Sequence, residues 1–337
     1  MNLELCGYFD HNFGDDYIQR IAAHYMSDYE LFINPDNGEN VSLMLLREPN
    51  VSMKRNDGPN KYPKLLVTGS GFMVNSLNIL RYEIVWFLKS KRIADFCIGC
   101  NIEPFNNKLS EWLVIQKLKK FRYIICRDKK SLHWLRKNCP DTEAEYTPDI
   151  LFAMPKEWLP EKSSGDKLGI TLIKFDDNDG EYYRKMAETA DYWIEATGKG
   201  VILFAFDVGS ENDTSVCETV RRLIKHKDMV EVVMHGVEGE IPKAFSKCRK
   251  IVGARFHSAV LSMKMNIDFY PIIYRQKMQN LITDTSYPVK GSCINSVDFE
   301  DIKRFLNTEK IDFEIDESYE RKVQKGFETL KCKLEKA

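Results

Sequence analysis

The chain reads as an α/β protein of two domains, each built on a parallel sheet, and three observations say so. Short apolar runs alternate with amphipathic segments over most of the 337 residues, the pattern of repeated strand–helix–strand units. The series starts afresh after Pro155 to Asp166, where two prolines, paired serines and a glycine among charges read as a linker. At 43% apolar composition, a chain of this length buries a full core and fills about two domains.

Taken in order, Leu3 to Phe9 predicts a strand, Asp15 to Met26 a helix and Tyr29 to Asn34 a second strand. The polar stretch from there to Pro63, broken by Val41 to Leu46, is too long for a connector and reads as a substrate loop. Lys64 to Thr68 is a compact strand ending in Gly69-Ser70-Gly71. Asn75 to Arg92 then carries Leu77, Leu80, Ile84, Phe87 and Leu88 at helical spacing. Strands at Asp95 to Gly99 and Tyr123 to Cys126 follow, each with a helix behind it, and one near Glu145 precedes Pro148-Asp149.

The second series predicts strand Leu168 to Lys174, helix Glu181 to Thr197, strand Val201 to Phe206 and helix Asp213 to Lys227. Strand Val230 to Met234, a short helix Ile241 to Lys247 and strand Ile251 to Ala254 come next. Helix His257 to Met265, strand Phe269 to Tyr274 and helix Gln276 to Thr283 complete it. Ser318 to Lys336 is a charged helix with Tyr319, Val323, Phe327 and Leu330 on one stripe. The expected domains are 1–155 and 166–310, with 311–337 packing back on the first.

Forty-nine basic and 50 acidic side chains nearly cancel, so no global field holds nucleic acid, and an anion site must be local. The N-terminus lacks the regions of a signal peptide, and no apolar run approaches the ~20 residues of a membrane span. These features predict a cytoplasmic protein. Nine scattered cysteines read as reduced thiols. Cys97 and Cys100 have the spacing of a redox motif or of half a metal site, but no second Cys pair or spaced Cys/His pair accompanies them, and they read as buried thiols.

Two such domains facing each other bring their strand C-terminal ends, and the loops there, to one cleft, so strand-to-helix junctions carry the chemistry. At Asn12-Phe13-Gly14-Asp15-Asp16 the glycine permits close backbone approach, and the helix amides can receive a phosphate or a sugar hydroxyl. Asp15 and Asp16 serve equally as first-turn carboxylates favouring the helix dipole. Gly69-Ser70-Gly71 lacks the spacing of a dinucleotide site and reads first as a tight turn. Arg127 ends an apolar strand ahead of Asp128 and Ser131, either as a bidentate anchor for an anion or as the partner of a neighbouring acid. In Gly253-Ala254-Arg255-Phe256-His257-Ser258, a buried-strand pattern runs into an Arg and a His where a helix starts. A cation at a helix start is unfavourable by itself and invites an anionic ligand. His257 beside it is either a proton-transfer group or a satisfied structural imidazole.

In this order the motifs resemble the polysaccharide pyruvyl transferase family. The matching runs are Gly7 to Phe9 through Asn12 to Asp16, Gly69 to Gly71, Gly99-Cys100-Asn101-Ile102-Glu103-Pro104, Arg127-Asp128 to Leu135, Pro148-Asp149, Gly253 to Val260, and Tyr274 to Lys277. They span about residues 3 to 285. The chain departs from the family pattern at Asp10-His11, at the central residue of Gly69-Ser70-Gly71 and at Glu103.

The resemblance implies a glycosyltransferase-B-like fold and transfer of the enolpyruvyl unit of phosphoenolpyruvate onto a sugar, forming a ketal and releasing phosphate. It implies Arg255 and His257 as catalytic residues, with Arg127, Gly253, Ser258 and Lys277 joining Arg255 around the donor. Asn12, Gly14, Asp15, Asp16, Gly69 and Gly71 are implied on the acceptor side. No metal or further cofactor is expected, because the arginines supply the charge stabilisation. A lipid-linked sugar acceptor would bring the enzyme to the inner face of the membrane. Two other readings remain at this stage: a glycosyltransferase using a nucleotide sugar, and a non-catalytic sugar-binding protein of the same fold.

Overall fold

The computed structural model describes residues 1–336 except 36–39, 56–61, 70, 73–78, 82, 85–93, 103, 104, 106, 162–164 and 176–179. Ser70, Glu103-Pro104 and most of the helix expected over 75–92 therefore lie outside the described residues. The chain divides into two compact units: residues 1–9, 15–153 and 317–337 form one, and residues 10–14 and 154–316 form the other.

In the first unit the elements run β1 (Asn2–Cys6), α1 (Phe13–Tyr25), β2 (Glu30–Ile33), α2 (Leu43–Leu46), β3 (Val51–Met53), β4 (Lys64–Val67), β5 (Gly71–Phe72), β6 (Phe96–Ile102), α3 (Lys108–Leu118), β7 (Tyr123–Cys126), α4 (Lys129–Asn138) and β8 (Glu143–Tyr146). The strands form a parallel sheet in the order β3-β2-β1-β4-β6-β7-β8, with β5 on β6. The stretch read as a substrate loop up to Pro63 is partly structured. Ser42 caps α2 by accepting from the Met44 amide at 3.3 Å, and Val51 to Met53 pairs with β2 as an edge strand. Asn50 fixes that edge, donating to the Ala23, Met26 and Tyr29 carbonyls. The C-terminal helix, Ser318–Glu335, buries Val323, Phe327 and Leu330 against the turn at 150–153 and β7.

The second unit runs β9 (Lys167–Thr171), α5 (Glu181–Thr197), β10 (Val201–Ala205), α6 (Asp213–Leu223), β11 (Val230–Met234), α7 (Glu240–Phe245), β12 (Cys248–Gly253), α8 (Phe256–Lys264), β13 (Asp268–Ile273), α9 (Gln276–Thr285), β14 (Ser292–Cys293) and α10 (Phe299–Asn307). Its parallel sheet has the order β11-β10-β9-β12-β13-β14. Leu168, Ile170, Leu203, Val252 and Tyr270 are fully enclosed in its core. Burial on both faces explains why these strands read as continuous apolar runs rather than alternating ones.

Strand order locates the sites. In the second sheet the chain winds outward from β9 through β10 to β11, returns to β12 and then winds the other way. In the first it reverses between β1 and β4. Open parallel sheets bind ligands beyond the strand C-termini at such reversals. Thr171 and Gly253 end β9 and β12, Arg255 follows β12, and the loops after β1 and β4 contain Asn12 and Gly69.

Candidate anion site at the end of β12

β12 carries Ile251 and Val252, both fully buried, and delivers the chain to a tight turn. Gly253 is required there because a methyl group would overlap the Thr171 hydroxyl. Ser258 pins the turn, donating to the Arg255 carbonyl at 2.5 Å and lying 2.9 Å from the Thr171 hydroxyl. Ser258 and Gly253 thus shape the junction. Arg255 stands at the N-cap of α8 and Arg275 at the N-cap of α9, on the adjacent strands β12 and β13. Neither helix has a side-chain cap bond or an acid in its first turn. Two neighbouring helix starts that present a cation where a carboxylate is usual form an anion-directed surface. Lys277 extends it, its ammonium 5.7 Å from the ring centres of both Phe256 and Tyr274.

Arg255 is clamped from behind. Its Nε donates to Asp213 Oδ2 at 2.8 Å, its Nη2 bonds Asp213 Oδ1, and its Nη1 meets Glu211. Asp213 also accepts from the Asp207 amide at 3.0 Å. Burial pushes the Asp213 carboxyl up to about 6, against the pull of Arg255. Burial works against the Arg255 charge, but Asp213 and Glu211 outweigh it and hold the guanidinium above its ordinary value. Burial also raises Glu211, yet Arg255, Lys277 and Arg275 bring it below the usual carboxylate range.

A carboxyl whose folded pKa is raised favours the folded state when protonated. Asp213 therefore contributes its stability fully below its ordinary value of 3.8 and loses it as pH rises through about 6. Melting temperatures measured across this window should show the native chain losing ground to Asp213→Asn as pH rises. A difference independent of pH would contradict this.

His257 is placed by the segment that precedes α1. His11 to Phe13 adds to the second unit: the Phe13 amide donates to Phe206 O at 2.7 Å, the Val208 amide donates to His11 O at 3.2 Å, and Asn12 pairs with Asp207. Asn12 Nδ2 also bonds Asp207 Oδ2 at 3.0 Å, while its Oδ1 accepts from the Gly14 amide at 2.9 Å. Asp10 accepts from the Ser210 amide at 2.9 Å, which gives the departure from the family pattern at this position a structural role. Gly14 then lies flat against the His257 imidazole, and a methyl group there would overlap its ring at Nδ1. Gly14→Ala is expected to cost about 1–3 kcal/mol by overpacking. It should also lower kcat by about 100-fold, since a shift near 1 Å suffices for such a loss. Unchanged turnover would show that the ring position does not matter.

The structure thus brings Asn12, Gly14, Gly253, Arg255, His257, Ser258 and Lys277 into one unit. Arg127 belongs to the other, where its guanidinium is 2% exposed and donates to Asp149 at 3.2 Å and Asn101 at 2.6 Å. It is the partner of an acid and an amide, in buried form. Asp128 caps α4 through the Ser131 amide at 2.8 Å. Asp15 and Asp16 are buried in the first turn of α1. Gly69 is buried past β4, and Gly71 pairs with Asn101 in β5. Cys97 and Cys100 are free, buried thiols in β6. Among the described residues no group of His, Cys, Asp and Glu is arranged to hold a metal, and no helix is long and apolar enough to cross a membrane. Sequence reasoning missed Asp207, Glu211, Asp213 and Arg275. Only Arg275 carried a local signal, a basic residue between Tyr274 and Lys277.

Two α/β domains, each on a parallel sheet, make up a glycosyltransferase-B-like fold. The fold is similar to that of Methanocaldococcus jannaschii UDP-GlcNAc 2-epimerase, solved in complex with UDP-GlcNAc and UDP (TM-score 0.61, 9% identity, covering 98% of this chain and 99% of that one). It is also similar to S. aureus MnaA in its UDP co-structure (TM-score 0.56, 11% identity, 96% and 90%) and to Anabaena Alr3699/HepE in complex with UDP and glucose (TM-score 0.53, 10% identity, 98% and 94%). Among curated proteins no relative matches the sequence. The family model for polysaccharide pyruvyl transferase matches residues 12–276. The chain belongs to that family and is a transferase.

Proposed function

We propose that the protein transfers the enolpyruvyl unit of phosphoenolpyruvate to a sugar of a polysaccharide or its precursor, forming a pyruvate ketal and releasing phosphate. The observation that carries this reading is the pair of adjacent helix starts headed by Arg255 and Arg275, with Lys277 beside them and His257 two residues along. Phosphoenolpyruvate presents two anionic groups on one small carbon frame, and a paired cationic surface suits it. Arg275 is proposed as a second anchor beside Arg255 in this unit, and Arg127, which bonds Asp149 and Asn101 in the other unit, for the donor's other anionic end.

In the reaction, a sugar hydroxyl adds to C2 of the donor while C3 gains a proton. The C2–O bond to phosphate then breaks, and a second hydroxyl of the same sugar closes the ketal. His257 moves the proton, and Arg255, Arg275 and Lys277 offset the charge that gathers on the departing phosphate. Asn12, Gly14, Asp15 and Asp16, with Gly69 and Gly71, are proposed for the acceptor. Beyond donor and acceptor the scheme calls for no cofactor, and a lipid-linked acceptor would be reached at the membrane surface.

The UDP bound by fold relatives makes a nucleotide sugar the competing donor. Calorimetric titration of the purified chain separates the two. Saturable binding of phosphoenolpyruvate that UDP does not displace supports the proposal. Tight binding of UDP with none of phosphoenolpyruvate refutes it.

A further inference from the structure

Arg255 has two acidic partners of different character. Asp213 is fully buried, held by a second bond to the Asp207 amide, and grips the Nε and Nη2 edge. Glu211 meets Nη1, the corner that the Asp213 fork leaves open, and its side chain is 50% exposed. Its backbone amide donates to Asp207 Oδ1 at 3.3 Å, which holds the chain while half of the side chain faces solvent. Arg275 and Lys277 act on the same carboxylate. One resident anion therefore contacts Arg255 and lies within the field of the other two cations that the donor reading assigns to an incoming anion.

We propose that Glu211 is a displaceable counter-ion: its carboxylate occupies the anion position on Arg255 in the ligand-free site and swings out when an anionic donor binds. This inference rests on the donor reading above for the identity of the ligand, but not for the exchange itself. Asp213 is the permanent partner that keeps the guanidinium oriented, and Glu211 sets how strongly an anion must bind to enter. A weakly held monoanion gains little by replacing one carboxylate with another. A ligand that engages Arg255, Arg275 and Lys277 together displaces it, so Glu211 acts as a specificity-determining residue working through Arg255.

The test is calorimetric titration of the full chain and of Glu211→Gln, Glu211→Ala and Glu211→Asp with phosphoenolpyruvate, inorganic phosphate and UDP, with melting temperatures to confirm folding. An exposed ion pair contributes modestly, so Glu211→Gln and Glu211→Ala should each bind the preferred anion about two- to fivefold more tightly, and Glu211→Asp should return affinity towards the native value. A partner needed only to build the site would give the opposite sign. Weaker or unchanged binding in both Gln and Ala variants overturns the proposal, even if phosphoenolpyruvate remains the ligand. Tightening seen with UDP alone keeps the displaceable counter-ion and refutes the phosphoenolpyruvate reading. No binding of any of the three anions to any variant overturns both.

Discussion

Arg255→Ala is expected to abolish saturable donor binding and to destabilise the second unit. Asp213 would be left fully buried without its cation, and breaking a buried pair from one side costs about 3–5 kcal/mol. The lost charge-assisted bonds to the donor, at about 1.5–3 kcal/mol each, should lower kcat/KM by about 100-fold or more. Arg255→Lys separates the two effects. It keeps a cation near Asp213 but not the fork that serves Asp213 with one edge and the ligand with the other, so stability should recover further than affinity. Native-like donor affinity in a folded Arg255→Ala protein would remove Arg255 from the site.

His257→Gln should separate chemistry from binding. Glutamine fills much of the space against Gly14 but cannot exchange a proton as imidazole does. Turnover is therefore expected to fall by about 10²–10⁴-fold, with donor affinity within a few-fold of native. Measured kcat and calorimetric affinity decide the matter. A fall in affinity with turnover intact at saturation would instead make His257 a binding residue.

The features readable from sequence are those whose cause is local. Val201 to Ala205 announces a strand because burial on both faces demands an unbroken apolar run. Arg255 and His257 stand out because a cation and an imidazole at a helix start conflict with helix electrostatics. What escaped is set by neighbours distant in the chain. Val51-Ser52-Met53 and Ser292-Cys293 are strands only because β2 and β13 lend them hydrogen bonds. Arg127 reads the same whether it faces a ligand or Asp149, and only folding shows that Asp149 and Asn101 enclose it. Asp213 meets Arg255 from 42 residues away, across a crossover between parallel strands that no local pattern encodes. Residues 10–14 run into the first turn of α1 yet pack with the second unit, because Asn12 and Phe13 pair with Asp207 and Phe206 just past β10. The helix Phe299–Asn307 was legible and missed: Asp298 caps it, and Ile302, Phe305 and Leu306 mark its buried face.

The proposed reaction passes an enolpyruvyl unit from phosphoenolpyruvate to a sugar. It is tested most directly by incubating the native chain with phosphoenolpyruvate and a panel of free and lipid-linked glycosides, following phosphate release and acceptor mass together. One phosphate should be released for each pyruvate ketal formed on the acceptor, with both products formed about 10²–10⁴-fold more slowly by His257→Gln. Sugar transfer from a UDP-sugar to the same acceptors, with phosphoenolpyruvate left intact, would contradict it.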